Sequence, residues 1–90
     1  MLRLYVTGLS VRSTLAIASL RRVCEECLAG RYEMEVIDIY QQPELAREAQ
    51  LYATPTVVKE RPLPVRRLVG DLSDRTRVIA GLGLPPEAAN

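Results

Sequence analysis

Apolar and polar residues alternate from Leu2 to Val6, with Leu2, Leu4 and Val6 on one side and Arg3 and Tyr5 on the other. That is the period-2 signature of a strand with one buried face. Gly8 and Ser10 break the alternation, and from Ser13 onward Ile17, Leu20, Cys24, Cys27 and Leu28 follow steps of three and four residues, with Ala16 and Val23 beside them. This is a helical stripe, with Ser13 as the expected N-cap and Gly30 as the expected left-handed residue at its end. Residues 32–40 read as a second strand: Met34 and Val36 point one way, Ile37 and Ile39 the other, so both faces are partly covered. A strand, a helix and a strand at this spacing make a βαβ crossover. Pro43 fits the first turn of a short helix over residues 43–50, with Leu45 and Ala46 inward, ended by Ala53-Thr54-Pro55-Thr56.

The last third matches two templates. In one parse residues 56–59 are a strand, 60–64 a turn, 65–69 a strand and 73–82 a helix. Ser73 or Asp71 caps that helix, and Leu72, Ile79 and Leu82 lie on its inner face. In the other, Val65, Leu68, Val69 and Leu72 fall at i, i+3, i+4 and i+7 of a helix, while Ile79, Gly81 and Gly83 alternate with Ala80, Leu82 and Leu84 as in a strand. Arg66 and Arg67 would face opposite sides of a strand, which weakens the first parse. A segment that satisfies two templates is unusual in a sequence whose local signals otherwise agree.

Composition narrows the chemistry. The 90 residues are 48% apolar and 26% charged, as in one small globular domain, and contain no histidine and only two cysteines. The commonest metal ligand and general base is therefore missing, and two cysteines cannot complete a four-ligand zinc site. No cofactor and no catalytic residue is expected. A net charge of +1, a pI near 7.8 and four tyrosines as the sole aromatics argue against a nucleic-acid binder. No apolar run approaches the ~18 residues of a membrane helix, and the first residues lack a secretory h-region, so a cytoplasmic location is expected. A domain of this size has a thin core, for which self-association or a partner would compensate. Charge is uneven: residues 1–30 carry +2, residues 31–60 carry −3 and residues 61–90 carry +2, and Lys59 is the only lysine among 12 basic residues.

Cys24-Glu25-Glu26-Cys27 spells the C-x-x-C of disulfide oxidoreductases. Both thiols, however, fall at the negative end of the first helix beside two carboxylates, which disfavours the reactive thiolate. They read as small buried hydrophobes. Gly81-Leu82-Gly83 lacks the third glycine and the following helix of a dinucleotide loop. Asp71 and Asp74 read as helix caps rather than a carboxylate pair. Lys59, Arg66 and Arg67 form a small basic cluster suited to an acidic protein partner. Thr54-Pro55-Thr56, an X-Pro bond before a strand, stands where thioredoxin-like domains keep a cis-proline. Pro62 and Pro64 lie close by, so slow prolyl isomerisation is expected to gate any rearrangement here.

The chain resembles the KaiB family of small clock proteins, which bind the ATPase KaiC. The resemblance spans residues 2–84 and rests on Leu4-Tyr5-Val6-Thr7-Gly8, Val36-Ile37-Asp38, Pro43-Glu44-Leu45-Ala46 and Ala53-Thr54-Pro55-Thr56. Its most specific part is Pro62-Leu63-Pro64-Val65-Arg66-Arg67 followed by Gly70-Asp71-Leu72-Ser73-Asp74-Arg75. It implies a metamorphic α/β protein: a constant thioredoxin-like half (residues 1–53), a fold-switching half (54–84) and a tail (85–90). One state is an oligomeric ground state ordered βαββααβ, a homotetramer or dimer; the other is a thioredoxin-like monomer ordered βαβαββα, which grips the KaiC ring. Slow exchange between them acts as the timing element, and KaiA and a SasA-type histidine kinase are the further partners. By the same resemblance Lys59, Arg66 and Arg67 are candidate KaiC contacts, and Tyr5, Pro55, Pro62, Pro64, Gly81 and Gly83 are candidate fold-switch positions.

Three departures stand out: Gly83 where cyanobacterial relatives usually carry Asp, an apolar Leu9-Ser10-Val11 loop, and no acidic tail beyond Glu87. They bring in a second expectation, a paralogue that acts with KaiC outside a full clock, in stress or metabolic regulation. The rivals from other classes are a thiol oxidoreductase and a free-standing sensor module related to the SasA sensor domain.

Overall fold

A computed structural model describes residues 1–8, 10–29, 31–51 and 53–85. The elements run β1 (Leu2–Val6), α1 (Val11–Leu28), β2 (Met34–Asp38), α2 (Pro43–Glu48), β3 (Thr56–Lys59), β4 (Arg66–Val69) and α3 (Arg75–Leu82). This βαβαββα order is the thioredoxin-like one, and the last third follows the first of its two parses. The four strands make one sheet in the order β2-β1-β3-β4. β1 pairs parallel to β2 and antiparallel to β3, and β4 pairs antiparallel to β3.

The register builds rows across the sheet: Met34–Leu2–Lys59–Arg66, Glu35–Arg3–Val58–Arg67, Val36–Leu4–Val57–Leu68 and Ile37–Tyr5–Thr56–Val69. Alternate rows face alternate sides. The side carrying Leu2, Leu4, Val6 and Val57 packs on Ala16, Leu20, Val23, Cys24 and Cys27 of α1 and on Leu72, Val78 and Leu82 around α3. The other side gathers Tyr5, Ile37 and Val58 under Leu45, Ala49 and Leu51. Tyr5, placed by alternation on the open side of β1, is therefore only 3% exposed, because the α2 segment covers that side. The two-faced character read for β2 holds: Met34 leans on the larger core and Ile37 on the smaller.

Helix ends differ from the sequence reading in instructive ways. α1 starts at Val11, with Ser10 as its N-cap: Ser10 Oγ accepts from the Ser13 amide at 3.1 Å. Ser13 instead lies buried in the first turn, its hydroxyl donating to the Thr7 carbonyl at 3.4 Å. Two serines three residues apart are both plausible caps, and the buried one is held by the core. The left-handed residue that ends α1 is Ala29 (φ 49°), while Gly30, expected there, lies outside the described residues.

α3 is capped by Asp74, whose carboxylate accepts from the Arg77 amide at 3.2 Å. Asp71, one of the two expected caps, accepts instead from the Ser73 amide at 2.9 Å, which orders the approach to the helix and holds its carboxyl below the usual range. Leu72 and Leu82 are buried as expected, whereas Ile79 is half-buried and Val78 takes the central place. Gly70 turns the chain with φ 102°, and its amide donates to the Pro55 carbonyl at 2.9 Å. Arg77 straps the same turn, donating to the Asp71 and Val69 carbonyls at 2.8 and 2.7 Å.

The Ser10 cap gives a direct check. Replacing Ser10 with Ala should cost about 1 kcal/mol of stability in urea denaturation, the usual worth of a serine N-cap. A loss confined to Ser13→Ala would contradict the assignment.

Candidate partner-binding surface

The basic cluster is divided by the sheet. Lys59 and Arg66 are direct partners across β3 and β4 and share the α1/α3 side, whereas Arg67, opposite Val58, belongs to the α2 side. Their environments differ as well. Lys59 is buried at 5% exposure, and Arg66 is exposed beside Gly83. Arg67 donates to the carbonyls of Gln50 (3.2 Å) and Ala49 at the end of α2, where a cation complements the unpaired helix carbonyls. Along the same row Arg3 reaches Glu35 at 3.0 Å and Glu60 at 3.6 Å.

The other singled-out positions are spread over the chain. Tyr5 sits in the smaller core. Pro55 is buried, Pro62 and Pro64 are exposed in the turn between β3 and β4, and all three follow cis peptide bonds. Gly81 lies inside α3, where a Cβ would stand 3.0 Å from Leu68 Cδ1, so this glycine lets the helix lie close on β4. Gly83 ends α3 in the left-handed region at φ 64°. Gly81 and Gly83 thus share one helix end, while Tyr5, Pro55 and the Pro62–Pro64 turn occupy three further sites.

One feature escaped the sequence reading. Beside Pro55 lies a groove of about 700 Å³, walled by Val11, Leu15 and Ala16 of α1 and by Leu72, with Arg12 and Asp71 among its polar lining. Val11 and Leu15 are 78% and 62% exposed. They stand four residues apart, off the inward stripe of α1, and that i, i+4 pairing is the signal that could have revealed them. Apolar side chains also stand out at the β3–β4 turn, where Leu63 is 77% and Val65 59% exposed.

The C-x-x-C pair is core. Cys24 is fully buried and Cys27 is 2% exposed. Burial, reinforced by Cys27 and Glu25, pushes the Cys24 thiol up to about 11. A thiol in that range is a poor nucleophile near neutral pH. Among the described residues no group of three or more potential metal ligands of the His, Cys, Asp or Glu type comes together, and no helix is long and apolar enough to cross a membrane.

The KaiB domain model matches residues 3–84. The chain belongs to the KaiB family. A circadian clock protein KaiB3 from a Synechocystis strain is 46% identical over 86 residues, 96% of this chain and 84% of that one. A circadian clock oscillator protein KaiB from Synechococcus is 49% identical over 83 residues, covering 92% of this chain and 76% of the relative. Among solved structures, the N-terminal domain of SasA from Synechococcus elongatus superposes with a TM-score of 0.69 at 25% identity, over 91% of this chain and 81% of that domain. Chloroplastic thioredoxin z superposes at 0.67 with 24% identity, over 89% and 74%, a likeness of fold alone. This KaiB-family chain is thus a clock-protein relative in a thioredoxin-like arrangement.

Two measurements follow from these positions. The raised Cys24 pKa means the unfolded chain, with its thiol near 9, loses that proton first. Stability should be unaffected below pH 9 and fall by up to about 2–3 kcal/mol as pH rises to 11; Cys24→Ala should flatten that decline in pH-dependent urea titrations. At α3, Gly83→Asp puts a side chain into a left-handed position and should cost this arrangement about 1 kcal/mol. An unchanged melting curve would contradict that.

Proposed function

We propose that this KaiB-family chain is a non-enzymatic clock regulator that grips the ATPase ring of KaiC in the thioredoxin-like arrangement and modulates its phosphorylation cycle. Family membership over nearly the whole chain carries this reading. The timing element is slow exchange of residues 54–84 with a second arrangement, ordered βαββααβ, in a self-associated ground state. Two templates fit that stretch, which supports the exchange. A ring protein shifts the two populations only by its differential affinity for them; were the competent state ~1% populated, apparent affinity would fall ~100-fold.

The groove beside Pro55, with uncovered Val11 and Leu15, gives the ring an apolar patch available in this arrangement. Arg66 offers an exposed cation on β4, and Arg67 lies on the opposite, α2 side of the sheet, away from that groove. Lys59 is proposed with them as a contact, although in this arrangement it lies below the surface. The shared shape with the SasA domain supports competition between the two for one ring site, with KaiA as a further partner of the complex. A cytoplasmic location belongs to the same reading. The alternative, a paralogue acting with KaiC outside a full clock, is favoured by the likeness to a relative named KaiB3. For a thiol oxidoreductase the burial of Cys24 and Cys27 is unfavourable.

Size exclusion and NMR of the chain alone, then with its cognate KaiC hexamer and nucleotide, test the proposal. Complex formation over hours is expected, weakened about tenfold by Arg66→Glu. No complex with any phosphorylation mimic after long incubation would overturn it.

A further inference from the structure

The only lysine of the chain is also its most deeply buried cation. Lys59 is 5% exposed, at the end of β3, and among the described residues its ammonium makes no hydrogen bond or ion pair. Its stem is packed among apolar neighbours, while the ammonium at its tip stays in contact with solvent. Lys59 borders a cavity of about 110 Å³ whose walls include Arg31 and Arg61 and, on the apolar side, Leu2 and Leu84. Among the described residues no carboxylate contributes to those walls. The cavity adjoins a wider opening of about 470 Å³ that shares Arg31, Tyr32 and Arg61 and carries Glu33. Arg66, the partner of Lys59 across the sheet, adds a guanidinium near Gly83 at the rim.

Three basic side chains thus line a space to which no described residue brings an acid. It has room for a tetrahedral oxyanion. We propose that this cavity is an oxyanion site that takes a phosphate-type group, with the Lys59 ammonium at its floor and the Arg31 and Arg61 guanidiniums closing over it. Arginine forks suit the outer oxygens of such a group, and an ammonium suits the inner one. The group is either free phosphate or a phosphate of a nucleotide, which share the chemistry the cavity reads. The site shares Lys59 with the proposed ring contacts, but its test needs no ring protein.

Amide NMR of the full chain tests this, titrating inorganic phosphate against sodium chloride at matched ionic strength, with ATP in a parallel series. Saturable shifts at Tyr32, Lys59 and Leu84 with phosphate, absent with chloride, are expected. Arg31→Gln with Arg61→Gln, both at exposed positions, should weaken binding roughly tenfold while leaving the spectrum folded, and Lys59→Met should abolish it. Shifts of the same amides at lower ATP than phosphate would uphold the site and assign it to nucleotide; saturation by phosphate alone would uphold it and assign it to the free ion. Shifts that chloride reproduces, or equal affinity in the Arg31/Arg61 double variant, would overturn it; that variant decides the matter even if Lys59→Met fails to fold.

Discussion

Everything in this fold is hung on β1. Its five residues have a strand on each side and a packed layer on each face, so Leu2, Leu4, Tyr5 and Val6 are all at most 3% exposed. Its backbone amides and carbonyls find their partners along both edges, in β2 and β3. This fixes the register of both neighbours, and a slip by one residue would exchange the two cores. α1 and α2 then have only one place each to lie, and the first half of the chain follows from that confinement.

The C-terminal third is held by fewer and more peripheral ties. β4 pairs with one strand only, and α3 rests on β4 and on α1 through Val78, Leu82 and an Arg75–Glu26 pair at 2.7 Å. That ion pair is half-exposed and contributes little. Much of the rest is backbone geometry: the Gly70 turn strapped by Arg77, the Asp74 cap and the left-handed Gly83. Local devices of this sort contribute about 1 kcal/mol each, comparable with the differences that separate alternative packings of a small domain.

Legibility in the sequence followed the same division. β1 and β3 were readable to the residue because strict alternation and a proline-marked entry leave one solution. The division of Arg66 and Arg67 between faces was legible in their adjacency, and it splits their grouping with Lys59, since a linear cluster becomes two opposed sites once a strand is pleated. Ser10 against Ser13, and Val78 against Ile79, were lost for another reason: each pair offers equivalent local chemistry, and only the long-range core chooses between them. The burial of Lys59 had no local signal at all. It follows from standing opposite Leu2 across the ladder, a fact of pairing rather than of composition.

The open sheet has two rims, and they differ in sign. β2 carries Glu35, with Glu33 just before it and Asp38 at its end, while β4 carries Arg66 and Arg67. An unpaired rim is a template for any extended segment that drifts past. Here matching rims of two copies repel, so lateral fibre growth by like-to-like pairing is opposed, and an incoming strand is sorted by its electrostatic polarity before its backbone is ever read.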